Sequence, residues 1–238
     1  MHAGVVDGEH NDVAWQRLGA SSAIAWFVLL LGNFAVVPIP PGIDDSTSAI
    51  AAYFSNNDGR MQLNAVLGAL SGIALLWFAG YLRQSIQRAG GSEMFSSIVF
   101  GSGVIFALLN ALRPTFFLTL AMVAHQVEGS GDAVFRAVYD LHTVFNGVIG
   151  IAAAAFLATA GIAMRRGQLA QRWLGSFGLL AALLALIAGI AEFYATSAPD
   201  LASGINVAAI LTIAVWFVVA GGVIWYRPQP RSTRGSPP

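Results

Sequence analysis

A set of polar and ionisable side chains interrupts the apolar segments of this 238-residue chain. Such side chains are costly inside apolar helices unless they meet a partner or water, which makes them candidates for a binding site. Together they offer charges of both signs, amide groups and an imidazole, which suits a polar or charged ligand. The candidate ligand-binding residues are Asn64, Asn110, Arg113, Tyr139, Asp140, His142, Asn146 and Glu192.

Residue spacing predicts that these side chains lie at one depth. Counting along each helix from its arginine-rich end, Asn64, Asn110, Asn146 and Glu192 lie about 25 to 28 Å in, and Arg113 lies about 30 Å in. Such a depth is close to the thickness of the hydrocarbon core, so the layer falls near the far interface. We therefore expect a polar layer at the end opposite the arginines.

Helical periodicity then predicts which residues of the polar layer share a helix face. Asn110 and Arg113 share a face at i and i+3, and Tyr139, His142 and Asn146 share another at i, i+3 and i+7. Converging faces predict an outward-opening pocket for a small amphipathic or lipid-like ligand. In this hypothesis Arg113 pairs with Glu192 or Asp140, while the pocket is lined by His142, Asn146 and Asn64.

The alternative interpretation of the layer is structural. Residues about 30 Å deep already reach headgroups and water, where a charge needs no partner and simply marks a helix end. The chain has no cysteine, and its histidines lack the H-x-x-x-H and H-E-x-x-H spacings of zinc sites. The sequence therefore predicts no metal and no cofactor, and it favours a protein that is not an enzyme.

The composition indicates that water is not the solvent for most of the protein surface. The chain is 56% hydrophobic and 10% charged, whereas soluble domains carry about 25% charged residues. Its net charge is zero, which gives no electrostatic basis for binding nucleic acid. We predict an all-α polytopic membrane protein, a bundle of about six transmembrane helices with the lipid bilayer as its main partner.

Hydropathy divides the chain into three parts: a polar cytoplasmic N-terminal tail at 1–17, a six-helix transmembrane domain at 18–226, and a disordered cytoplasmic tail at 227–238. A proline cluster at 38–42 ends the first span, and a short interfacial helix with Ile50, Tyr53 and Phe54 on one face is expected in the first outer loop. The third span starts at 94, and Arg113–Pro114 marks its expected exit. Residues 115–124 are either a kinked extension of it or an interfacial segment. The predicted spans are 18–37, 61–82, 94–113, 139–164, 173–194 and 204–226.

Arginines predict the orientation. All twelve basic residues are arginine, and nine of them fall in the termini and the loops after spans two and four. The other side has Arg60, Arg113 and Arg136 and collects six acidic residues. By the positive-inside rule both termini are cytoplasmic, and the expected location is the plasma membrane.

Three short motifs suggest a family. They are Leu76-Trp77-Phe78-Ala79-Gly80-Tyr81-Leu82-Arg83, Tyr139-Asp140-Leu141 and Arg172-Trp173-Leu174-Gly175. On these motifs the chain resembles uncharacterised actinobacterial six-span membrane proteins, loosely similar to the DUF4386 family. The resemblance implies a six-span topology and carries no activity.

The predicted spans lack the features that are typical of transporters and of enzymes. A transporter usually shows broken helices or ionisable groups near the midplane, and an enzyme needs converging acid, base or metal groups. Neither pattern is clear, so ligand binding ranks first, with a small-solute transporter or a structural, partner-binding protein as alternatives. Gly68-x-x-x-Gly72 is a small-residue motif through which the chain could also form an oligomer.

Overall fold

The computed structural model describes residues 3–126, 131–166, 171–194 and 199–226. Within these ranges the chain forms seven α-helices, of which all but the short second one are long and apolar enough to cross a membrane. This confirms the predicted all-α, six-span fold. The helices are α1 (Ala3–Val36), α2 (Thr47–Ser55), α3 (Asp58–Arg88), α4 (Glu93–Val123), α5 (Gly131–Arg165), α6 (Arg172–Glu192) and α7 (Pro199–Trp225).

Five of the six long helices are longer than their predicted spans, α1 and α4 by the most. α1 begins at Ala3, so most of the predicted tail at 1–17 is helical, while the predicted tail at 227–238 lies outside the described residues. α4 continues through Pro114 to Val123, which decides the alternative left open for residues 115–124 in favour of a helical extension. Proline inside a helix removes one backbone hydrogen bond without ending the helix when its ring finds room. Pro114 finds that room against Gly68 of α3.

The six long helices form a closed ring. Each packs against the next in chain order, from α1 to α3, α4, α5, α6 and α7, and α7 packs back against α1. Consecutive spans run antiparallel because the connections between them are short. The ring therefore has two ends. We call one the arginine end, because Arg83, Arg165 and Arg172 lie there. We call the other, where α1 ends and α2 lies, the cavity end, after the cavity described below.

Glycines allow the helices of this ring to approach closely. A Cβ atom built on Gly68 would lie 2.3 Å from Cγ of Pro114, and one on Gly72 would lie 2.7 Å from Cβ of Ala111. The Gly68-x-x-x-Gly72 motif thus packs against α4 of the same chain. Oligomer formation through these glycines stays a prediction.

An aromatic cluster fills the ring toward the arginine end. The rings of Phe78, Phe156, Trp216 and Phe217 are fully buried. Phe78 lies within 6.3 Å of the other three, measured between ring centroids. Aromatic rings at these distances attract one another beyond simple burial. We call these four residues the aromatic plug. It joins α3, α5 and α7 across the middle of the ring.

Arginines at the arginine end lie over aromatic rings. Arg17 is 5.8 Å from the ring centroid of Trp225, and Arg166 is 5.3 Å from that of Phe95. Such cation–π contacts at a membrane interface anchor helix ends in the headgroup region. Arg83, at 5.4 Å from Phe100, belongs to the same belt.

Candidate functional site

A cavity of about 80 Å³ lies inside the ring at the cavity end. Its volume is several times that needed for one water molecule. α1, α4, α5, α6 and α7 all contribute to its walls. The polar residues that line it are Asn110, Arg113, Asn146, Glu192 and Asn206.

The polar lining residues lie nearest the cavity end, which we call the mouth of the cavity, and the opposite part, which we call its floor, is mostly apolar. The exception at the floor is the Trp26 indole N–H, which is buried and has no hydrogen-bond partner among the described residues. On four helices the polar residue at the mouth is followed, seven residues deeper, by an apolar lining residue, which corresponds to a depth of about 10 Å. These pairs are Arg113 with Phe106, Asn146 with Ala153, Glu192 with Ala185, and Asn206 with Ile213. Trp26 and Phe106, with ring centroids 6.5 Å apart, line the deep end.

Arg113 and Asn146 face this cavity with unused hydrogen-bonding capacity. Among the described residues, none accepts a hydrogen bond from the Arg113 guanidinium, and none bonds the Asn146 amide. A guanidinium carries five N–H donors, and leaving them unsatisfied away from bulk water is costly. The arrangement therefore favours occupation of the cavity by water or by a ligand with acceptor groups.

Glu192 lines the same cavity, held by a neighbouring helix. Asn206 of α7 donates a hydrogen bond of 2.6 Å to the Glu192 carboxylate at the end of α6. Glu192 and Arg113 attract each other electrostatically, yet they form no ion pair. Arg113 and Glu192, which were predicted to pair, thus line the same cavity without forming an ion pair. Asn110 also borders the cavity and donates to the buried Ser71 hydroxyl at 2.6 Å.

Asp140 and Tyr139 do not line the cavity, and the predicted Arg113–Asp140 pair is not formed. Asp140 pairs with Arg136 of its own helix at 3.0 Å. Arg136 also donates to the backbone oxygens of Asp45, at 2.7 Å, and Ile43, while the Tyr139 hydroxyl donates to the oxygen of Pro41. Arg136 and Tyr139 thus hold the loop at 37–46 against the N-terminal part of α5. Their side chains supply hydrogen bonds to a proline-rich backbone that has few internal ones.

α2 is attached to the same loop. Ser46 caps α2 by accepting a hydrogen bond of 3.2 Å from the Ala49 amide, and Phe54 packs edge-on against Phe117 and Tyr139.

The Tyr53 hydroxyl donates to the oxygen of Pro38 at 2.6 Å. Burial raises the pKa of Tyr53 to about 12, and the Coulombic effect of Arg60 opposes this rise. The hydroxyl therefore stays protonated, and able to donate, throughout the physiological pH range.

The remaining two candidates are buried elsewhere. His142 packs against Phe117 with ring centroids 4.3 Å apart, and its Nε2 atom has no hydrogen-bond partner among the described residues. Asn64 is buried in α3, 6% exposed, and does not line the cavity. The structure thus brings together Asn110, Arg113, Asn146 and Glu192, and it places Asn64, Tyr139, Asp140 and His142 outside the cavity walls.

Sequence reasoning missed Asn206 and Trp26 as lining residues. Asn206 carried a usable signal, since it is an isolated amide in the last span, about 30 Å along the helix from Tyr226 and hence at the depth of the polar layer. Trp26 carried none, because a tryptophan in a span is equally typical of packing or of the interfacial belt.

The fold and this cavity define a multi-pass membrane protein with a partly polar cavity inside a ring of helices. No protein-family model, curated protein or solved structure matches the chain. The resemblance to the DUF4386 family therefore stays a prediction from the three quoted motifs.

Proposed function

We propose that this protein binds a small amphipathic or lipid-like molecule in the cavity. The observation that carries the proposal is the pairing, within one cavity about 10 Å deep, of an unpartnered Arg113 at the mouth with Trp26 and Phe106 at the floor. Ligand sites are typically concave and mostly apolar, with a few polar groups that fix the ligand's orientation. The cavity has this composition.

The aromatic plug favours binding over passage through the ring. Phe78, Phe156, Trp216 and Phe217 are fully buried between the cavity floor and the arginine end. A transported solute would have to displace these packed rings, which requires a second arrangement of the helices. A binding protein needs no such rearrangement, so it is the simpler function for this geometry.

The proposed orientation places the cavity on the outer face of the plasma membrane, with both termini in the cytoplasm. It is supported by the nine arginines assigned to the arginine end and the adjoining termini. A ligand would then enter from outside the cell. A structural or partner-binding protein without a ligand is the alternative that the tests below address.

Cysteine labelling tests the orientation. The chain has no native cysteine, so a single introduced thiol reports one position. Asp44→Cys, exposed at the cavity end, is expected to react with a membrane-impermeant maleimide in intact cells, whereas Ala89→Cys, exposed at the arginine end, is expected to react only after lysis. The reverse pattern would show that the cavity faces the cytoplasm.

Ligand-dependent stabilisation tests the binding function. The purified protein is melted in a membrane mimetic with a panel of short-chain amphiphiles that each carry a carboxylate or a phosphate, and a ligand at 100 times its Kd is expected to add about 2.7 kcal/mol to the free energy of unfolding. Arg113→Gln removes the guanidinium charge and three of its five N–H donors, and it is expected to abolish that shift. Arg60→Gln, an exposed arginine at the same end, serves as the matched control and should retain it.

The outcome separates the functions. If amphiphiles raise the wild-type and Arg60→Gln midpoints but not that of folded Arg113→Gln, the cavity is a ligand site. If no amphiphile raises the wild-type midpoint, the binding proposal is wrong, and a structural or partner-binding function becomes the better account.

A further inference from the structure

We propose that the cavity selects zwitterionic amphiphiles, whose anionic group binds Arg113 and whose cationic group binds Glu192. This inference rests on the proposed binding function and specifies its ligand. It starts from two opposite charges that line one cavity and do not form an ion pair. Charges placed in an apolar interior are costly when unpaired, so each favours a partner of opposite sign.

Each charge retains capacity for such a partner. None of the described residues accepts a hydrogen bond from Arg113, so all of its N–H donors are free for a carboxylate or a phosphate. Glu192 takes one hydrogen bond, from Asn206, which holds the carboxylate in place and leaves further acceptor sites for an ammonium group. Asn146 adds an amide that can bond either group of the ligand.

Charge balance distinguishes a zwitterion from a simple anion or cation. Arg113 and Glu192 together carry no net charge, so a singly charged ligand would leave a net charge in a weakly polar environment. A zwitterion leaves the total at zero and gives both side chains an opposite partner. The cavity is thus electrostatically complementary to a ligand that carries both charges at one end.

The floor specifies the other end of the ligand. Below the polar mouth the walls are mostly apolar, with Trp26, Phe106 and Ile213 among the lining residues, and the Trp26 indole N–H is the polar group there that has no partner among the described residues. Most of the remaining wall is formed by small or aliphatic side chains, such as those of Ala153, Ala185 and Ile210, which suit an aliphatic chain. The ligand class is therefore a short-chain amphiphile whose head group contains an ammonium and a carboxylate or phosphate.

A matched series of eight-carbon ligands tests this selectivity. 2-Aminooctanoate is zwitterionic, octanoate is anionic and octylamine is cationic, so the apolar chain is constant while the charge varies. Affinity is measured by calorimetry on protein in nanodiscs of phosphatidylglycerol, which contains no zwitterionic head group that could compete, at ligand concentrations below micelle formation. The wild type is expected to bind 2-aminooctanoate at least tenfold more tightly than either of the other two.

Two substitutions should change the preference rather than merely weaken binding. Glu192→Gln keeps a partner for Asn206 and leaves Arg113 as the only charged side chain among the described lining residues, so octanoate should become the preferred ligand. Arg113→Gln leaves Glu192, so octylamine should become preferred. Loss of the fold would not give the two variants opposite charge preferences, which separates these results from misfolding. Arg60→Gln should keep the wild-type preference.

The results also separate this inference from the function on which it rests. If the wild type binds octanoate or octylamine as tightly as 2-aminooctanoate, the zwitterion selectivity is wrong although the binding function stands. If none of the three ligands binds, and added phosphatidylethanolamine does not bind either, both proposals are wrong. Binding of 2-aminooctanoate identifies a free zwitterion as a sufficient ligand, whereas binding of phosphatidylethanolamine alone identifies a lipid head group.

Discussion

Replacing Gly150 with leucine is expected to prevent α5 and α6 from packing and to lower the free energy of unfolding by more than about 3 kcal/mol. A Cβ at Gly150 would lie 2.7 Å from Cα and 2.9 Å from the amide nitrogen of Gly189, and 3.0 Å from the backbone oxygen of Ala185. All three neighbours are backbone atoms, which cannot move aside as a flexible side chain can. The larger side chain must therefore push the two helices apart.

The measurement is unfolding of the purified protein, followed by its midpoint and by its elution profile. Gly101→Leu is the matched control, because Gly101 lies in an apolar span and its added Cβ would meet nothing within 4 Å. We expect Gly101→Leu to stay within about 0.5 kcal/mol of the wild type. A folded Gly150→Leu protein with a wild-type midpoint would contradict the close α5–α6 approach.

The second large effect is expected at Phe78. Its fully buried ring contacts rings on two other helices, Phe156 of α5 and both Trp216 and Phe217 of α7. Phe78→Ala removes these contacts and leaves a void, and we expect a loss of about 3 kcal/mol. This value is at the low end of the range for such truncations, because part of the usual cost comes from water and the unfolded helices stay in lipid.

Chemical unfolding in mixed micelles measures this loss, and Phe78→Leu shows whether volume or aromaticity matters. Leu76→Ala, in the same helix but 43% exposed on the outside of the ring, is the control and should cost less than about 1 kcal/mol. Equal effects of Phe78→Ala and Leu76→Ala would show that the aromatic plug does not hold the ring together.

The sequence predicted the number and type of spans well because hydropathy depends on composition and length alone. Helix ends were less accurate. α1 starts fifteen residues earlier than the predicted span, since a polar segment can extend a helix beyond the membrane without any apolar signal. α4 runs past Pro114 because Gly68, on another helix, makes room for its ring. That compensation involves two distant residues and has no local signature.

In the candidate site, too, properties of a single helix could be predicted, whereas contacts between helices could not. Depth along a helix is a one-dimensional property, and it selected Asn110, Arg113, Asn146 and Glu192, which line the cavity, together with Asn64, which does not. Which side of a helix faces which neighbour depends on the order of helices around the ring. His142 and Asn146 were expected on one face, yet His142 packs against Phe117 of α4 while Asn146 borders the cavity.

Because the ring closes between α1 and α7, its first and last helices, closure must wait until the last span has been synthesised. A nascent chain that has inserted α1 to α5 already contains Arg113 and Asn146, but Glu192 and Asn206 arrive only with the last two spans. Until then Arg113 lacks the carboxylate that offsets its charge, and α1 lacks one of its neighbours. The cavity is therefore the last part of the protein to form, and chains truncated before α7 should be recognised as incomplete by membrane quality control.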